Sequence, residues 1–413
     1  MTSTSDSPIA RLDRSQRRLL WSFIPATAGI YALWGAIPGI LLPLQIGAID
    51  EDHKAANLAL VATLGACAAM LAQPIAGVLS DRTRSRYGRR APWILGGALC
   101  GGLALLVLSM SSTLAAIALA WIAAQIAYNL AQGPLSAVLP DRVPRSARGT
   151  FSAAIGVATM TGVLLGSGAA AAFSGHIPAG YLTFAAVALL AVTLFVLLNP
   201  DRASLGDERL PFDARTFLRT FWVNPRAHPD FGWAFLGRLL LYTGYFVVYG
   251  YQLYLLEDYI GVDDRAAQLV PVLGLVSLPA MLLSIAICGP LSDRVGRRKP
   301  FIAVSSAVVA TGVLIPWVWP TVPGMVAFAV VCGFGFGAFQ AVDTALITEV
   351  LPSSADFGKD LGVVNIAATL PQTFAPALTG VIVLSAGYSG LFPIAALLSL
   401  LGACAVYPIK AVR

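Results

Sequence analysis

One passage of this chain is written twice, 212 positions apart: Ser80-Asp81-Arg82 returns as Ser292-Asp293-Arg294, and Val138-Leu139-Pro140 as Val350-Leu351-Pro352. The acidic pair Glu51-Asp52 returns as Asp263-Asp264, and Trp21 as Trp233, at the same offset. Four landmarks on one offset imply a duplicated unit of about half the chain. The duplicated text is strongly apolar. Of 413 residues, 57% are hydrophobic and 12% charged, with mean hydropathy +0.76, whereas a soluble domain carries about 25% charge. A repeated apolar unit is expected to form two related helical bundles in a membrane, with a cavity where the repeats meet.

A bilayer core takes about 20 apolar residues per helix. Twelve segments fit: 20–47, 56–79, 92–111, 114–140, 150–173, 180–199, 231–256, 267–291, 300–319, 323–350, 361–386 and 389–408. The run from Leu19 to Ile49 is too long for a signal-peptide core and lacks a small-residue cleavage pattern, so it reads as a retained membrane helix. The expected fold is an all-α integral membrane protein: 12 transmembrane helices in two pseudo-symmetric six-helix bundles. Expected boundaries are 1–199 for the first bundle, 200–230 for a linker and 231–413 for the second. In the linker, Phe212, Phe217, Leu218, Phe221 and Trp222 interleave with Arg215 and Arg219. This predicts a short interfacial helix on the membrane face, weighed against a plain linker.

Basic residues alternate across the loops. The terminal, second, fourth, sixth, eighth and tenth connections hold 24 of the 27 Lys and Arg; the opposite loops hold only Lys54 and Arg265, each beside acids. The positive-inside rule then places both termini and the linker in the cytoplasm, in a multi-pass protein of the cell membrane. The net charge of +6 is accounted for by topology, and no nucleic-acid partner is expected. The five cysteines, Cys67, Cys100, Cys288, Cys332 and Cys404, sit in apolar segments without metal or redox spacing. His53, His176 and His228 lie in loops, and no catalytic constellation or phosphate loop occurs. An enzyme, a metal site, a cofactor and an ATP-driven pump are not expected. Nothing signals oligomerisation, and a monomer is the expectation.

The repeated loop reads Gly77-Val78-Leu79-Ser80-Asp81-Arg82, then Gly88-Arg89-Arg90-Ala91-Pro92; its second copy runs from Gly289 through Ser292-Asp293-Arg294 to Arg297-Arg298-Lys299-Pro300. Glycine permits a tight loop, and Asp–Arg pairs at helix ends can latch two halves in one state and release in another. This doubled motif resembles the signature loop of the major facilitator superfamily. Gln73-Pro74, Ser85-Arg86-Tyr87-Gly88-Arg89-Arg90, Asn129 and Gln132-Gly133-Pro134 resemble more narrowly the plant-type sucrose/proton transporters, their bacterial relatives, and the glycoside–pentoside–hexuronide cation symporters. The resemblance implies a secondary transporter that rocks its halves by alternating access. Gating is assigned to Asp81, Arg82, Arg89, Asp141, Asp293, Arg294 and Glu349, with most weight on Asp81 and Arg89. The remaining arginines are read as topology.

Polar stripes run along otherwise apolar segments. The fourth carries Gln125, Asn129, Gln132 and Ser136 on one face; the eleventh Asn365, Thr369 and Gln372. The seventh carries Arg238, Tyr242, Tyr245, Tyr249 and Gln252; the first Tyr31, Trp34, Pro38 and Gln45; the tenth Gln340, Asp343, Thr344 and Thr348. Such faces are expected to point inward, as interhelical glue or as the lining of a wet cavity. Amides beside Trp and Tyr suit a neutral polyol, with its hydroxyl edges and C–H faces. The expected solute-binding set is Trp34, Gln125, Asn129, Gln132, Tyr245, Tyr249, Gln340, Asn365 and Gln372. Pro25, Pro38 and Pro43 are expected to break the first helix, and Pro371 and Pro376 the eleventh.

Arg238 and Asp343 are the two charges well inside segments. A mid-bilayer charge costs at least about 3 kcal/mol, so the two are expected to pair, with protonation of Asp343 releasing the pair and coupling transport to protons. The alternative is that Arg238 snorkels to the inner surface. The plant-type transporters carry a membrane Asp seven residues before the Gln of Gln-Gly-Pro, and that position here is Gln125. The acidic pair of the sodium-using symporters is also missing from the second segment, where Thr63, Gly65 and Cys67 stand. Coupling is left to Asp343, or to Glu349 or Asp141 at the inner helix ends, or is absent. The leading expectation is proton-coupled movement of a small neutral sugar or glycoside. Efflux of an amphipathic natural product or drug is the second reading, and a non-transporting assembly or pigment-handling factor the third.

Overall fold

The computed structural model describes residues 12–144, 146–205, 226, 228–262, 265–350 and 357–410, without the side chains of 344–345, 348–349 and 357–368. Among the described residues the regular structure is helical. A capping box opens the first helix: Asp13 accepts the Gln16 amide at 2.7 Å, and the Gln16 side chain accepts the Asp13 amide at 3.2 Å. The Gln16 amide, with the Ser15 hydroxyl, holds the Asp13 carboxyl below its ordinary range. Helix α1 runs from Arg14 to Ile49 through a π-helical turn at Ile37–Leu41. Pro38 sits in that turn, where its missing N–H shifts the hydrogen-bond ladder by one residue. The expected break at Pro38 is thus a π bulge in a continuous helix.

Next come α2 (Lys54–Arg82), α3 (Ala91–Ser109), α4 (Leu114–Arg142), α5 (Arg148–Ala172), α6 (Ile177–Leu198) and α7 (Pro229–Tyr249). The remainder are α8 (Ala266–Val295), α9 (Lys299–Val318), α10 (Val322–Glu349), α11 (Phe357–Ala386) and α12 (Leu391–Cys404). Eleven described helices are long and apolar enough to cross a membrane, and the stretch Tyr388–Cys404 is a shorter apolar helix. The segment expected at 231–256 is divided. Here α7 stops at Tyr249, Gly250 caps it, and a short helix Gln252–Tyr254 leads into a π turn at Leu255–Tyr259. Glycine removes the side chain that would favour helix at this point. Gln252 therefore leaves the α7 stripe and is buried beyond the break. The interfacial helix expected in the linker lies outside the described residues.

Packing repeats as the sequence does. In the first half α1 packs on α5 and α6, and α3 on α4 and α6; in the second, α7 packs on α11 and α12, and α9 on α10 and α12. Identical partners at an offset of six helices are what a duplicated fold requires. Contact clustering divides the chain into two compact units, Met1–Asp52 with Leu64–Leu210, and His53–Thr63 with Pro211–Arg413. The start of α2 thus belongs to the second unit, and an ion cluster there shows why. Lys54 Nζ lies 2.7 Å from Asp258 and 3.3 Å from Glu257, and 5.0 Å over the Tyr254 ring. The Tyr388 hydroxyl donates to Asp258 at 2.7 Å, and the Tyr251 hydroxyl to the Ala55 carbonyl at 3.1 Å.

Each unit is inverted relative to a soluble protein on its outer faces. Leu71, Leu190 and Leu384 are 61%, 70% and 68% exposed, as lipid-facing side chains should be. Inside the first unit, Phe23, Ile30, Ile94, Leu135, Phe151 and Phe195 form part of one core. Small residues set the closest helix approach. A Cβ on Gly166 would lie 2.2 Å from the Ala32 carbonyl oxygen on α1, whereas one on Gly168 meets nothing within 4 Å. Gly166→Val is therefore expected to destabilise the purified protein by about 1–3 kcal/mol or more by overpacking, and Gly168→Val to leave thermal unfolding within error. Equal unfolding midpoints for the two variants would remove the close contact from the account.

Candidate functional site

In the first unit, the polar face of α4 turns inward onto α1. The Trp34 indole donates to Gln132 Oε1 at 2.8 Å, and Gln132 Nε2 donates to the Tyr31 hydroxyl at 3.1 Å. Trp34 meets Trp121 and Tyr128 edge to face, with centroids 6.4 and 6.3 Å apart. One turn away, Asn129 donates to the Gln125 carbonyl at 2.8 Å and to its side-chain oxygen at 3.4 Å. Trp34, Gln125, Asn129 and Gln132 thus share one wall. Trp121, absent from the expected set, completes it; its place four residues before Gln125 puts it on the same face, a signal the spacing carried. Next to Gln132 and Tyr31 lies a cavity of about 130 Å³, also lined by Phe23, Thr27, Ile30 and Ser136. The buried Thr27 hydroxyl in it has no hydrogen-bond partner among the described residues, an unusual state for a buried polar atom.

Two positions behave differently from the stripe pattern. Gln45 is buried, its amide donating to the Leu108 and Ser111 carbonyls at 2.9 and 3.1 Å while its oxygen accepts from Tyr181 at 2.8 Å. It is helix-to-helix glue. Gly65 on α2 lies under Trp121, where a Cβ would sit 2.4 Å from the indole nitrogen and 3.3 Å from Gln125. An acidic side chain at Gly65 would collide with that ring.

In the second unit the same logic yields an aromatic wall. Tyr245 stacks on Phe336 at 4.2 Å and on Tyr249 at 5.2 Å, and Tyr242 packs against Phe336 at 5.0 Å. Behind it, Arg238 Nε lies 3.2 Å from Asp343 Oδ2, with both side chains buried. Arg238 does not snorkel. The Arg238 guanidinium also rests 5.3 Å from the Tyr242 ring centre. The contact is an ion pair without good hydrogen-bond geometry: Arg238 Nε, Arg238 Nη1 and Asp343 Oδ2 all lack a hydrogen-bond partner. Burying such a pair is costly unless further bonds satisfy it. Gln340 is half-buried on α10 and Gln372 exposed on α11. Asn365 lies on α11, but its side chain, like that of Glu349, is outside the described residues.

The repeated loops hold the other charges. Arg90, 7% exposed, reaches Asp81 at 2.6 Å, Asp141 at 3.0 Å and the Ser80 hydroxyl at 2.6 Å. Arg89 joins Asp141 at 3.1 Å. In the second copy, Arg298 reaches Asp293 at 2.5 Å and Ser292 at 2.6 Å. Each pair closes within its own unit. The reading of Arg90 as topology alone is corrected, because this side chain is the hub of the cluster. Arg82 and Arg294 are exposed. Arg90→Gln is expected to cost about 1–3 kcal/mol in unfolding free energy, since it strands partners of a buried group. Arg89→Gln, more exposed, should cost less than about 1 kcal/mol. Denaturant unfolding in detergent checks the order.

Residues 53–406 match the family described as MFS/sugar transport protein. Among curated proteins, the sucrose transport protein SUC4 of Arabidopsis thaliana is 26% identical over 190 residues, 40% of this chain and 37% of that protein. The sucrose transport protein SUT4 of Oryza sativa subsp. indica is 31% identical over 113 residues, 27% of this chain and 18% of that protein. The alignments therefore span less than two fifths of these relatives. Among solved structures, a mutant of the nucleoside transporter NupG superposes with TM-score 0.77 at 17% identity, covering 95% of this chain and 99% of that one. At that identity the likeness is one of fold. The relatives and the fold neighbours are transporters and not enzymes.

Proposed function

Because this chain belongs to the MFS/sugar transport protein family, we propose that it is a secondary active transporter of a small neutral polar solute, a sugar or glycoside, working by alternating access. One observation carries the solute class. The Trp34–Gln132–Tyr31 chain, walled by Trp121 and Tyr128, adjoins a cavity with an unpartnered buried hydroxyl at Thr27. Aromatic faces pack against sugar C–H groups while amides and hydroxyls exchange hydrogen bonds with sugar hydroxyls. The set contains no formal charge, which suits a neutral solute. Asn129, Gln125, Tyr245, Tyr249, Gln340, Asn365 and Gln372 complete the proposed binding set. The plant relatives are sucrose transport proteins, which supports the sugar class.

For coupling we assign the Arg238–Asp343 pair. Asp343 is 2% exposed, and the Arg238 guanidinium 3.2 Å away is its one ion-pair partner among the described residues. Protonation would remove the attraction and leave Arg238 to find other acceptors, so the pair has two distinct electrostatic states. Protons are the proposed ion, with both termini on the cytoplasmic side by the positive-inside rule.

A second reading, export of an aromatic natural product, draws on the Tyr245–Phe336–Tyr249 stack. Whole-cell uptake of labelled sugars against export of dyes separates the two directions. In proteoliposomes, the wild-type protein is expected to show counterflow of a labelled sugar from a glycoside panel. No counterflow with any sugar, alongside pH-dependent dye export, would replace the first reading with the second. Asp343→Asn is expected to abolish accumulation driven by a pH gradient while retaining counterflow. Full gradient-driven accumulation in Asp343→Asn would remove the coupling role.

A further inference from the structure

The loop end of the first unit holds an open cup of about 750 Å³ lined by Arg89, Arg90, Asp141, Arg142, Asp201 and Arg202. Four guanidinium groups face two carboxylates there, a formal excess of two positive charges. Asp141 is ion-paired, and Asp201 accepts a backbone amide. Asp141 Oδ2 takes both Arg89 and Arg90, at 3.1 and 3.0 Å. Asp201 accepts the Arg202 amide at 2.9 Å and lies against Gly88, where φ is +85° and a Cβ would sit 2.4 Å from Oδ2. Arg142 donates to the Asn199 carbonyl at 2.9 Å. Neither Arg142 nor Arg202 has a carboxylate at ion-pair distance among the described residues.

The cup is built, not incidental. Its floor is the buried Arg90, fixed by Ser80, Asp81 and Asp141. Its far wall, the strand of chain after α6, is pinned to the α2–α3 loop: the Ser204 amide donates to the Ser85 carbonyl and the Ser85 amide to the Ser204 hydroxyl, both at 3.0 Å. Topology asks only for basic residues on this side of the membrane. It does not ask that two of them, without a carboxylate at ion-pair distance among the described residues, line one concavity at the ends of membrane helices. Guanidinium forks match the oxygens of a phosphate group, and a cup at helix ends lies at headgroup depth.

We propose that this cup binds a phosphate group, carried by an anionic phospholipid headgroup or by a soluble phosphoester, through Arg142 and Arg202. The site does not depend on which solute the protein moves. Full-length protein in detergent micelles, titrated with phosphatidylglycerol and with phosphatidylcholine under native mass spectrometry, gives the test. Phosphatidylglycerol is expected to be retained preferentially. The preference should fall by roughly tenfold or more in R142Q/R202Q, at about fivefold per arginine. It should survive in R17Q/R18Q, which removes the same charge from exposed positions that do not line the cup. Competition by glycerol 3-phosphate would identify a soluble phosphoester as the source, and its failure to compete would identify the lipid. Equal retention of both lipids with no shift of the unfolding midpoint by glycerol 3-phosphate would overturn the proposal. So would an equal loss of preference in R17Q/R18Q, which marks diffuse surface charge. Should R142Q/R202Q fail to fold, R202E at an exposed position carries the same reading.

Discussion

A polar atom placed in hydrocarbon has no water to fall back on, and every other feature of this chain is arranged around that fact. Backbone groups answer it by forming helices, since a helix satisfies its own amides and carbonyls within one segment. Side chains must answer it one by one. Gln45 does so by spending its amide on Leu108, Ser111 and Tyr181. Gln132 does so by accepting from Trp34 and donating to Tyr31. The Thr27 hydroxyl and the Arg238–Asp343 pair are left with unused capacity.

The same constraint separates the helix ends from the helix interiors. At the ends charges can be numerous because water and headgroups are near, and they cluster into networks rather than lone pairs. Arg90 collects a hydroxyl and two carboxylates, and Arg298 repeats part of this arrangement in the second copy. At the other end of α2, Lys54 is drawn onto Asp258 and Glu257. Inside the helices only one ion pair occurs among the described residues, and it is buried, tilted and short of partners. Stability favours the first kind of site, and chemistry that changes with state favours the second.

How much of this was legible beforehand depends on whether an interaction is local in sequence. Period and spacing are local, so the stripe Gln125–Asn129–Gln132 could be read as one face of α4. The two interior charges, Arg238 and Asp343, stood out because charges in apolar runs are conspicuous. Distances across the chain are not local. Nothing in the text of α1 states that Trp34 is the donor for Gln132, 98 residues on. Nor does it show that Gln45, polar and on the same helix, is glue. Trp121 continues the same face four residues before Gln125, but that it packs on Trp34 only the fold reveals. The break after Tyr249 was missed because Gly250 lies within a run whose hydropathy continues unchanged.

The sequence by itself determined the all-helical membrane fold, its two-fold duplication and the family. These follow from hydropathy, a fixed repeat offset and a loop motif, each readable along one dimension. Only the tertiary structure decided which polar side chains satisfy one another and which are left over, that Arg238 and Asp343 meet at 3.2 Å, and that Arg90 rather than Arg89 is the hub of the loop cluster. The physical reason is the same in each case. A helix places its own residues on faces by geometry alone, but the partner for each face is chosen by packing, which brings together residues far apart in the chain, such as Arg90 with Asp141 and Trp34 with Gln132.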